Sequence, residues 1–158
     1  MASAVICAKA GANVTLVGRS LEKAEKIAGI CNDRYDSKNV KGGADADKSD
    51  FFNVADIVLN TGAAGIQLMS EEHIKNSNTL KICADTNAVP PSGIAGVDVM
   101  DNGKVIDMSP SKCLGIGALA IGNIKYKSQH ECLKLMYTSE KPVYLDFEDA
   151  FKFAQKSV

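Results

Sequence analysis

The chain has 158 residues, enough for one domain with a core of its own. Its 18 basic and 19 acidic side chains give a formal net charge of -1, so no general electrostatic field would attract nucleic acid or an anionic membrane. No apolar stretch is long enough to cross a bilayer, and the N-terminus lacks the order of a signal peptide. We therefore predict a cytoplasmic protein, a single domain over residues 1–158, that binds neither nucleic acid nor membrane.

Cysteine and histidine are too scattered to indicate a disulfide framework or a metal site. The five cysteines are odd in number, widely spaced and never in a Cys-x-x-Cys pair. His73 and His130 lie far apart, with no metal-ligand spacing around either. We predict reduced, mostly buried thiols and no bound metal.

The first 35 residues predict a helix, a strand and a second helix. Residues 2–10 look like the end of a helix, closed by Gly11, where left-handed geometry is favoured. The β-branched and apolar run 14–17 predicts a buried strand. Ser20 can then cap a helix that continues to about Arg34.

The same alternation continues along the chain. Strands are predicted at 40–44, 55–60 and 81–85, helical turns at 49–54, 66–69 and 70–76, a hairpin or sheet extension at 99–108, a long helix at 114–138 and a terminal helix at 147–156. This order predicts an α/β fold with a doubly wound parallel sheet of Rossmann type. The expected first strand and its Gly-x-Gly-x-x-Gly turn are lacking, because the chain starts at a helix.

The segment 81–98 is the strongest indication of a ligand site. Its strand ends in Asp-Thr-Asn at residues 85–87, and two prolines then prevent a helix. In open α/β sheets, ligands bind beside the carboxyl ends of strands, and Gly93 and Gly96 allow close backbone approach. We interpret the segment as the wall of a ligand cleft. A structural loop stiffened by prolines is the alternative.

Two further strand ends indicate a nicotinamide nucleotide. Arg19 and Ser20 follow the second strand of such a fold, where an NAD-preferring protein carries an acidic residue. A guanidinium and a hydroxyl suit a 2'-phosphate, so we expect NADP, with NAD as the alternative. An exposed arginine beside a helix cap would explain the same residues.

The glycine-bearing segment 61–65 follows the strand at 55–60, and its amides and the Thr61 hydroxyl would meet ribose or phosphate. Asp85 and Asn87 would come next to the nicotinamide end. No Ser-His-Asp or Cys-His nucleophile and no carboxylate pair is recognisable, so we predict no catalytic side chain. That absence suits hydride transfer, in which the cofactor carries the chemistry.

At residues 84–98 the sequence Ala-Asp-Thr-Asn-Ala-Val-Pro-Pro-Ser-Gly-Ile-Ala-Gly-Val-Asp resembles the Ala-Asp-x-Asn-Ala-x-Pro-Pro-x-Gly-Ile-x-Gly signature of the methylene-tetrahydromethanopterin dehydrogenases. The likeness extends to 17–20, to 61–65, and to 115–122 with Lys125 and Lys127, and so covers nearly the whole chain. It implies an NAD(P)-dependent enzyme of one-carbon metabolism. Such an enzyme moves hydride from a methylene-tetrahydropterin, of the methanopterin or folate type, to NADP or NAD.

The resemblance also sets the candidate residues and partners. The cofactor-binding candidates are Arg19, Ser20, Thr61, Gly62, Ala63, Gly65, Asp85, Asn87, Ala88, Gly117 and Lys125. Gly117 lies in the small-residue first half of the predicted long helix, and Lys125 follows that half. Lys125 would offer a point charge to a phosphate or to the substrate, and a solvated lysine is the alternative.

Members of this family carry an N-terminal substrate domain and a first strand that do not precede Met1. The resemblance therefore implies the C-terminal cofactor domain, with tetrahydropterin bound through the missing domain. We expect the isolated chain to bind NADP poorly and to have little or no activity by itself. We also expect a homo-oligomer. Two alternatives stay open: another Rossmann oxidoreductase of shikimate-dehydrogenase type, and a nucleotide-binding module without catalysis.

Overall fold

The computed structural model describes residues 1–157. Helices and strands alternate through most of this range. The helices are α1 (Ala2–Lys9), α2 (Leu21–Tyr35), α3 (Lys48–Val54), α4 (Glu71–Asn76), α5 (Ala118–Thr138) and α6 (Phe147–Gln155). The strands are β1 (Val14–Gly18), β2 (Val40–Ala44), β3 (Ile57–Asn60), β4 (Ile82–Asp85), β5 (Asn102–Val105) and β6 (Leu114–Ile116). The chain divides into two compact units, one of residues 1–51 and one that begins at Phe52.

In the first unit, α2 packs closely on a parallel pair of strands. β1 and β2 are in parallel register along their whole length. A side chain at Gly42 would lie 2.7 Å from Glu25 Cα, so only glycine lets the helix approach β2 this closely. The small face of α2 supplies part of the core, whose buried members are Ala4, Val5, Ala8, Ala24, Ala28, Cys31 and Val40.

The second unit contains a four-stranded sheet in the order β3-β4-β6-β5. β3, β4 and β6 are parallel, whereas β5 runs antiparallel to β6. The predicted parallel sheet is thus found for β3, β4 and β6, and the sheet extension predicted within residues 99–108 is β5, which runs antiparallel. The link from β5 to β6 is shorter than the dozen or so residues that a parallel crossover needs, so the chain returns antiparallel.

The core of the second unit lies against this sheet. Its buried members come from the strands and from the loops that follow them: Met69, Ile74, Leu80, Cys83, Ile94, Ala95, Val97, Ile106 and Cys113. Two of the five cysteines are thus core residues here, and all five are free thiols. The prediction of unpaired cysteines is confirmed.

Two predicted helical segments are wrong. Residues 114–116 are not the start of the long helix but form β6, which pairs with β4. Gly115 and Gly117 are poor helix formers, and the helix begins only at Ala118. Residues 66–69 contain no helix, because the amides of Leu68 and Met69 donate to Gly93 O at 2.8 and 3.0 Å. Tertiary contact decides the conformation there.

The remaining predicted elements are confirmed to within a few residues. Ser20 caps α2, Ser70 caps α4 and Asp146 caps α6, each by accepting backbone amide hydrogen bonds. Gly11 has a φ of 93°, the left-handed geometry expected after α1. The alternation of helices with parallel strands is compatible with a Rossmann-like fold. The single domain over residues 1–158 stays a prediction.

None of the helices in residues 1–157 combines the length and the apolar character needed to cross a bilayer.

Candidate functional site

Two polar residues meet where β3 and β4 end. Asn60 and Asp85 are register partners in the parallel pair. Asn60 Nδ2 donates to Asp85 Oδ1 over 2.7 Å. Both side chains are buried, with exposures of 5% and 1%. Because buried polar groups need partners, this contact ties the carboxyl ends of the two strands together.

The Asp85 carboxylate accepts two further hydrogen bonds, both from backbone amides. Asn87 N donates to Asp85 Oδ1 at 3.0 Å, and Ile94 N donates to Asp85 Oδ2 at 3.0 Å. All the donors around it are N–H groups, so the position suits a side chain that only accepts. Asp85 therefore holds both the start and the end of the loop that follows β4.

Asn60 and Asn87 also hold the glycine loop, residues 61–65, by accepting hydrogen bonds from two of its amides. Gly62 N donates to Asn60 Oδ1 at 2.9 Å, and Gly65 N donates to Asn87 Oδ1 at 3.3 Å. Asn87 Nδ2 in turn donates to Pro91 O at 3.0 Å. We call the side chains of Asn60, Asp85 and Asn87 the polar frame.

The other donors of the glycine loop belong to exposed residues and have no partner in the described chain. Thr61, Ala63 and Ala64 are exposed. Within the described chain, neither the Thr61 hydroxyl nor the amides of Ala63 and Ala64 have a hydrogen-bond partner. The loop therefore offers three donors to a ligand, while two of its amides are held by the polar frame.

Gly93 permits the polar frame to pack against the loop after β4. A Cβ atom there would overlap Asn60 Nδ2 and would lie 2.9 Å from Asp85 Oδ1. The predicted close approach at Gly93 is confirmed, and its neighbour is the buried Asn60–Asp85 pair. Gly96 has a φ of 77°, which also requires glycine.

Two neighbours complete this part of the site. Thr86 donates to Asn60 O both from its amide, at 3.1 Å, and from its hydroxyl, at 3.0 Å. Ala88 is exposed and makes no hydrogen bond with other described residues. The structure thus brings Thr61, Gly62, Ala63, Gly65, Asp85, Asn87 and Ala88 into one loop cluster.

In the first unit, Arg19 and Ser20 lie just beyond β1. Ser20 Oγ accepts from Lys23 N at 3.4 Å and so caps α2. Arg19 is exposed, and its guanidinium forms no ion pair or hydrogen bond within residues 1–157. Of the two predicted 2'-phosphate ligands, Arg19 has its donors available, whereas Ser20 already accepts a bond as a cap.

Gly117 lies at the N-terminus of α5, under the loop at 98–101. Its amide donates to Asp101 O at 2.8 Å, and Leu119 N donates to Val99 O at 2.9 Å. A Cβ at Gly117 would overlap Asp98 O and lie 2.7 Å from Val99 C. Residues 115–120 have the Gly-x-Gly-x-x-Ala spacing of a phosphate turn between a strand and a helix, but the Gly117 and Leu119 amides are already bonded to backbone carbonyls.

Lys125 lies on an exposed stretch of α5. It has no ion pair or hydrogen bond within the described chain. A side chain at Gly122 would have nothing within 4 Å, so the close packing expected of the whole small-residue half occurs at Gly117 and not at Gly122. The cofactor roles of Gly117 and Lys125, like those of the loop cluster, stay predictions.

Asn60 belongs to this loop cluster but is absent from the candidates predicted from sequence, and Ala64 is predicted only through the amides of the segment 61–65. Asn60 could have been found, because it is the polar end of an apolar strand directly before the glycine loop. Asp85 occupies the same position on the next strand, so register alone pairs them. Ala64 carries no such signal, since its contribution is a backbone amide.

No side chain near this loop cluster resembles an activated nucleophile. Burial raises the pKa of the Cys83 thiol, and the neighbouring Cys113 raises it further. Burial also raises the pKa of Cys113. Both thiols are therefore neutral and unreactive at physiological pH. Across the part of the chain that the structure describes, no group of three His, Cys, Asp or Glu side chains could hold a metal ion.

The sequence matches no protein-family model. It is 38% identical over 155 residues to an NAD(P)-dependent methylenetetrahydromethanopterin dehydrogenase of Methylorubrum extorquens, covering 96% of this chain and 52% of that protein. It is 35% identical over 149 residues to the bifunctional protein MdtA of the same organism, covering 92% of this chain and 50% of that protein. The chain thus spans about half the length of the curated relatives that it matches. The resemblance that the motifs predict is confirmed: almost the whole chain is similar to an NAD(P)-dependent methylenetetrahydromethanopterin dehydrogenase.

Proposed function

We propose that this chain is the cofactor-binding part of an NADP-dependent methylene-tetrahydromethanopterin dehydrogenase, with methylene-tetrahydrofolate as the alternative substrate. One observation carries the proposal. The unpartnered donors of the glycine loop stand at the carboxyl ends of parallel strands, which is where ligands bind in open α/β sheets. The similarity to a relative named as NAD(P)-dependent supports the choice of ligand.

The residues present fit a nucleotide. Thr61 supplies a hydroxyl and Ala63 and Ala64 supply amides, and all three lack partners within residues 1–157. Hydrogen-bond donors of this kind suit the phosphate and ribose oxygens of a nucleotide. A bound NADP would supply the acceptor for the hydride that is removed from the methylene carbon of the pterin.

The residues of this chain would bind and orient the cofactor and would move no proton. The polar frame keeps the glycine loop in one conformation, so the donors are preorganised before the ligand arrives. Arg19 would pair with the 2'-phosphate through its unpartnered guanidinium. Lys125 would add a point charge near a phosphate or the pterin, which affects binding more than turnover.

The pterin would be held mainly by a domain outside the matched half of the relatives. The finer assignment of the fold, a Rossmann-type domain in one-carbon metabolism, belongs to the same proposal. We also expect weak NADP binding by this chain alone. The Gly-x-Gly-x-x-Gly turn that holds a pyrophosphate is lacking in the sequence, and at α5 the Gly117 and Leu119 amides are bonded to backbone carbonyls.

An assay with two pterins and two cofactors tests the proposal. The purified protein is given methylene-tetrahydromethanopterin or methylene-tetrahydrofolate with NADP or NAD, and reduced nicotinamide is followed by absorbance. Adding the unmatched half of the Methylorubrum extorquens relative as a separate polypeptide supplies the pterin-binding part. We expect reduction of NADP with the methanopterin substrate once that half is present.

The same assay separates the alternatives. NADP binding without turnover of either pterin, with or without the added half, favours a nucleotide-binding module without catalysis. Oxidation of shikimate but of neither pterin favours a shikimate-dehydrogenase relative. Failure to bind either nicotinamide nucleotide would contradict the proposal itself.

A further inference from the structure

Every side-chain polar atom of the predicted cofactor ligands Asp85 and Asn87 already has a hydrogen-bond partner. Both oxygens of Asp85 accept hydrogen bonds, from Asn60, Asn87 and Ile94. The side-chain oxygen and nitrogen of Asn87 are both engaged, by the amides of Gly65 and Val89 and by Pro91 O. Asp85 is 1% exposed and Asn87 is 5% exposed. Burial and these bonds make the two side chains poorly accessible to a ligand, in contrast to the exposed residues of the glycine loop.

We infer that Asp85 is a positioning residue that acts on the glycine loop through Asn60 and Asn87, and that the ligand instead meets the Thr61 hydroxyl and the Ala63 and Ala64 amides. The ligand class is a nucleotide, recognised by its phosphate or ribose oxygens. This inference rests on the proposed function for the identity of the ligand. The action of Asp85 on the loop rests on the described contacts alone.

The geometry gives Asp85 two routes to the loop. Asp85 Oδ1 fixes the Asn60 amide group, whose oxygen then faces the Gly62 amide at 2.9 Å. The same Asp85 oxygen accepts from Asn87 N at 3.0 Å, which places the Asn87 side chain to receive Gly65 N at 3.3 Å. The glycine loop is therefore held at its second and fifth residues.

Because the Gly62 and Gly65 amides are bonded to the polar frame, they are not available to a ligand. Gly62 and Gly65 flank Ala63 and Ala64, so the two fixed amides restrict the conformations open to the exposed residues between them. If the frame loosens, the loop loses the single conformation in which the three donors are presented together. Binding then costs more conformational entropy, and affinity falls.

The first experiment is amide hydrogen exchange, followed by NMR on the ligand-free protein. In the wild type, the Gly62 and Gly65 amides should exchange more slowly than those of Ala63 and Ala64. Asp85→Asn replaces one accepting oxygen with a donor and should lower protection at both glycines at least tenfold. Asn87→Ala should expose Gly65 while leaving Gly62 protected. Unchanged protection at both glycines in Asp85→Asn would overturn the inference.

Gly93→Ala provides an independent variant if Asp85→Asn fails to fold. The added methyl group would displace the Asn60 side chain and crowd Asp85 Oδ1, and it should release Gly62 while the Asp85 carboxylate is retained. Asp107→Asn is the matched control, because Asp107 is exposed and has no hydrogen bond or ion pair within the described chain. In this variant the Gly62 and Gly65 amides should exchange at the same rates as in the wild type.

The second experiment measures the NADP dissociation constant by calorimetry at a temperature where each variant is folded. Asp85→Asn should raise this constant at least tenfold, and Asp107→Asn should leave it unchanged. A purely structural Asp85 would lower the melting temperature without changing the affinity of the folded protein, and that result would contradict the inference. If no variant and no wild-type protein binds NADP, the proposed function fails, while the exchange data still decide whether Asp85 sets the loop.

Discussion

Asn60 Nδ2 and Asp85 Oδ1 are 2.7 Å apart, across the last register pair of β3 and β4, and Gly93 leaves no room for a side chain beside them. This contact explains why a strand that ends in asparagine and a strand that ends in aspartate are neighbours. It also explains why a glycine, Gly93, lies two residues after the proline pair Pro90 and Pro91. The buried Asn60–Asp85 pair thus requires the glycine at position 93 of the loop motif.

The first prediction concerns two glycines near the start of α5. Gly117→Ala should destabilise the protein by about 1–3 kcal/mol, because its methyl group would overlap the backbone of Asp98 and Val99, which cannot turn aside as a side chain can. Gly122→Ala is the matched control, since nothing lies within 4 Å of an added Cβ. It should stabilise the helix by about 0.5–1 kcal/mol. Urea unfolding of both variants measures the difference, and equal free energies of unfolding would show that the α5 N-terminus is not packed as described.

The second prediction concerns pH and the buried Cys83 thiol. Burial and Cys113 raise its pKa in the folded state, whereas the unfolded thiol ionises near a pKa of about 8.5. Above that pH the unfolded state binds fewer protons than the folded state, so stability falls as pH rises. Below it the contribution is constant. The fall is at most about 1.4 kcal/mol per pH unit for one thiol.

Chemical denaturation of the wild type and of Cys83→Ala, between about pH 7 and pH 10, checks this slope. Lysine and tyrosine titrations affect both proteins alike, so the difference between the two curves isolates the thiol. We expect the wild type to lose stability faster above about pH 8.5. Two parallel curves would contradict the neutral, buried state of Cys83.

The third prediction concerns cofactor choice. Arg19→Ala should weaken NADP binding by about 1.5–3 kcal/mol and NAD binding far less, because only NADP carries the 2'-phosphate that the guanidinium would hold. Arg34→Ala, which removes the same charge from the last turn of α2, controls for net charge. Titration calorimetry with both nucleotides supplies the four affinities that are compared. Equal losses for NADP and NAD would return Arg19 to the role of an exposed arginine beside a helix cap.

Much of this architecture follows from local sequence. Ser20, Ser70 and Asp146 are caps whose positions local chemistry decides, and the apolar runs before Asn60 and Asp85 are strands by composition alone. Residues 66–69 and 114–116 differ because their conformations are set by partners distant in sequence, Gly93 and β4. A local pattern contains no information about those partners.

The candidate site shows the same division. The polar strand ends and the glycine loop are visible in the sequence, and they indicate where a ligand would bind. Which atoms are free is not visible, because that depends on three side chains meeting in one place. The sequence predicts Asp85 and Asn87 as ligands. In the structure, their polar atoms form hydrogen bonds with Asn60 and with the loops around them.

An NMR titration of the isotope-labelled chain with NADP tests most directly whether the nucleotide binds at the glycine loop and Arg19. We predict saturable shifts of the Thr61, Ala63 and Ala64 amides and of Arg19, with smaller changes at Gly62 and Gly65, whose amides keep their hydrogen bonds to the polar frame. NAD at the same concentrations should shift the loop amides but leave Arg19 largely unchanged. Saturable changes confined to surfaces away from residues 61–65, or no saturable change at any NADP concentration, would contradict the account.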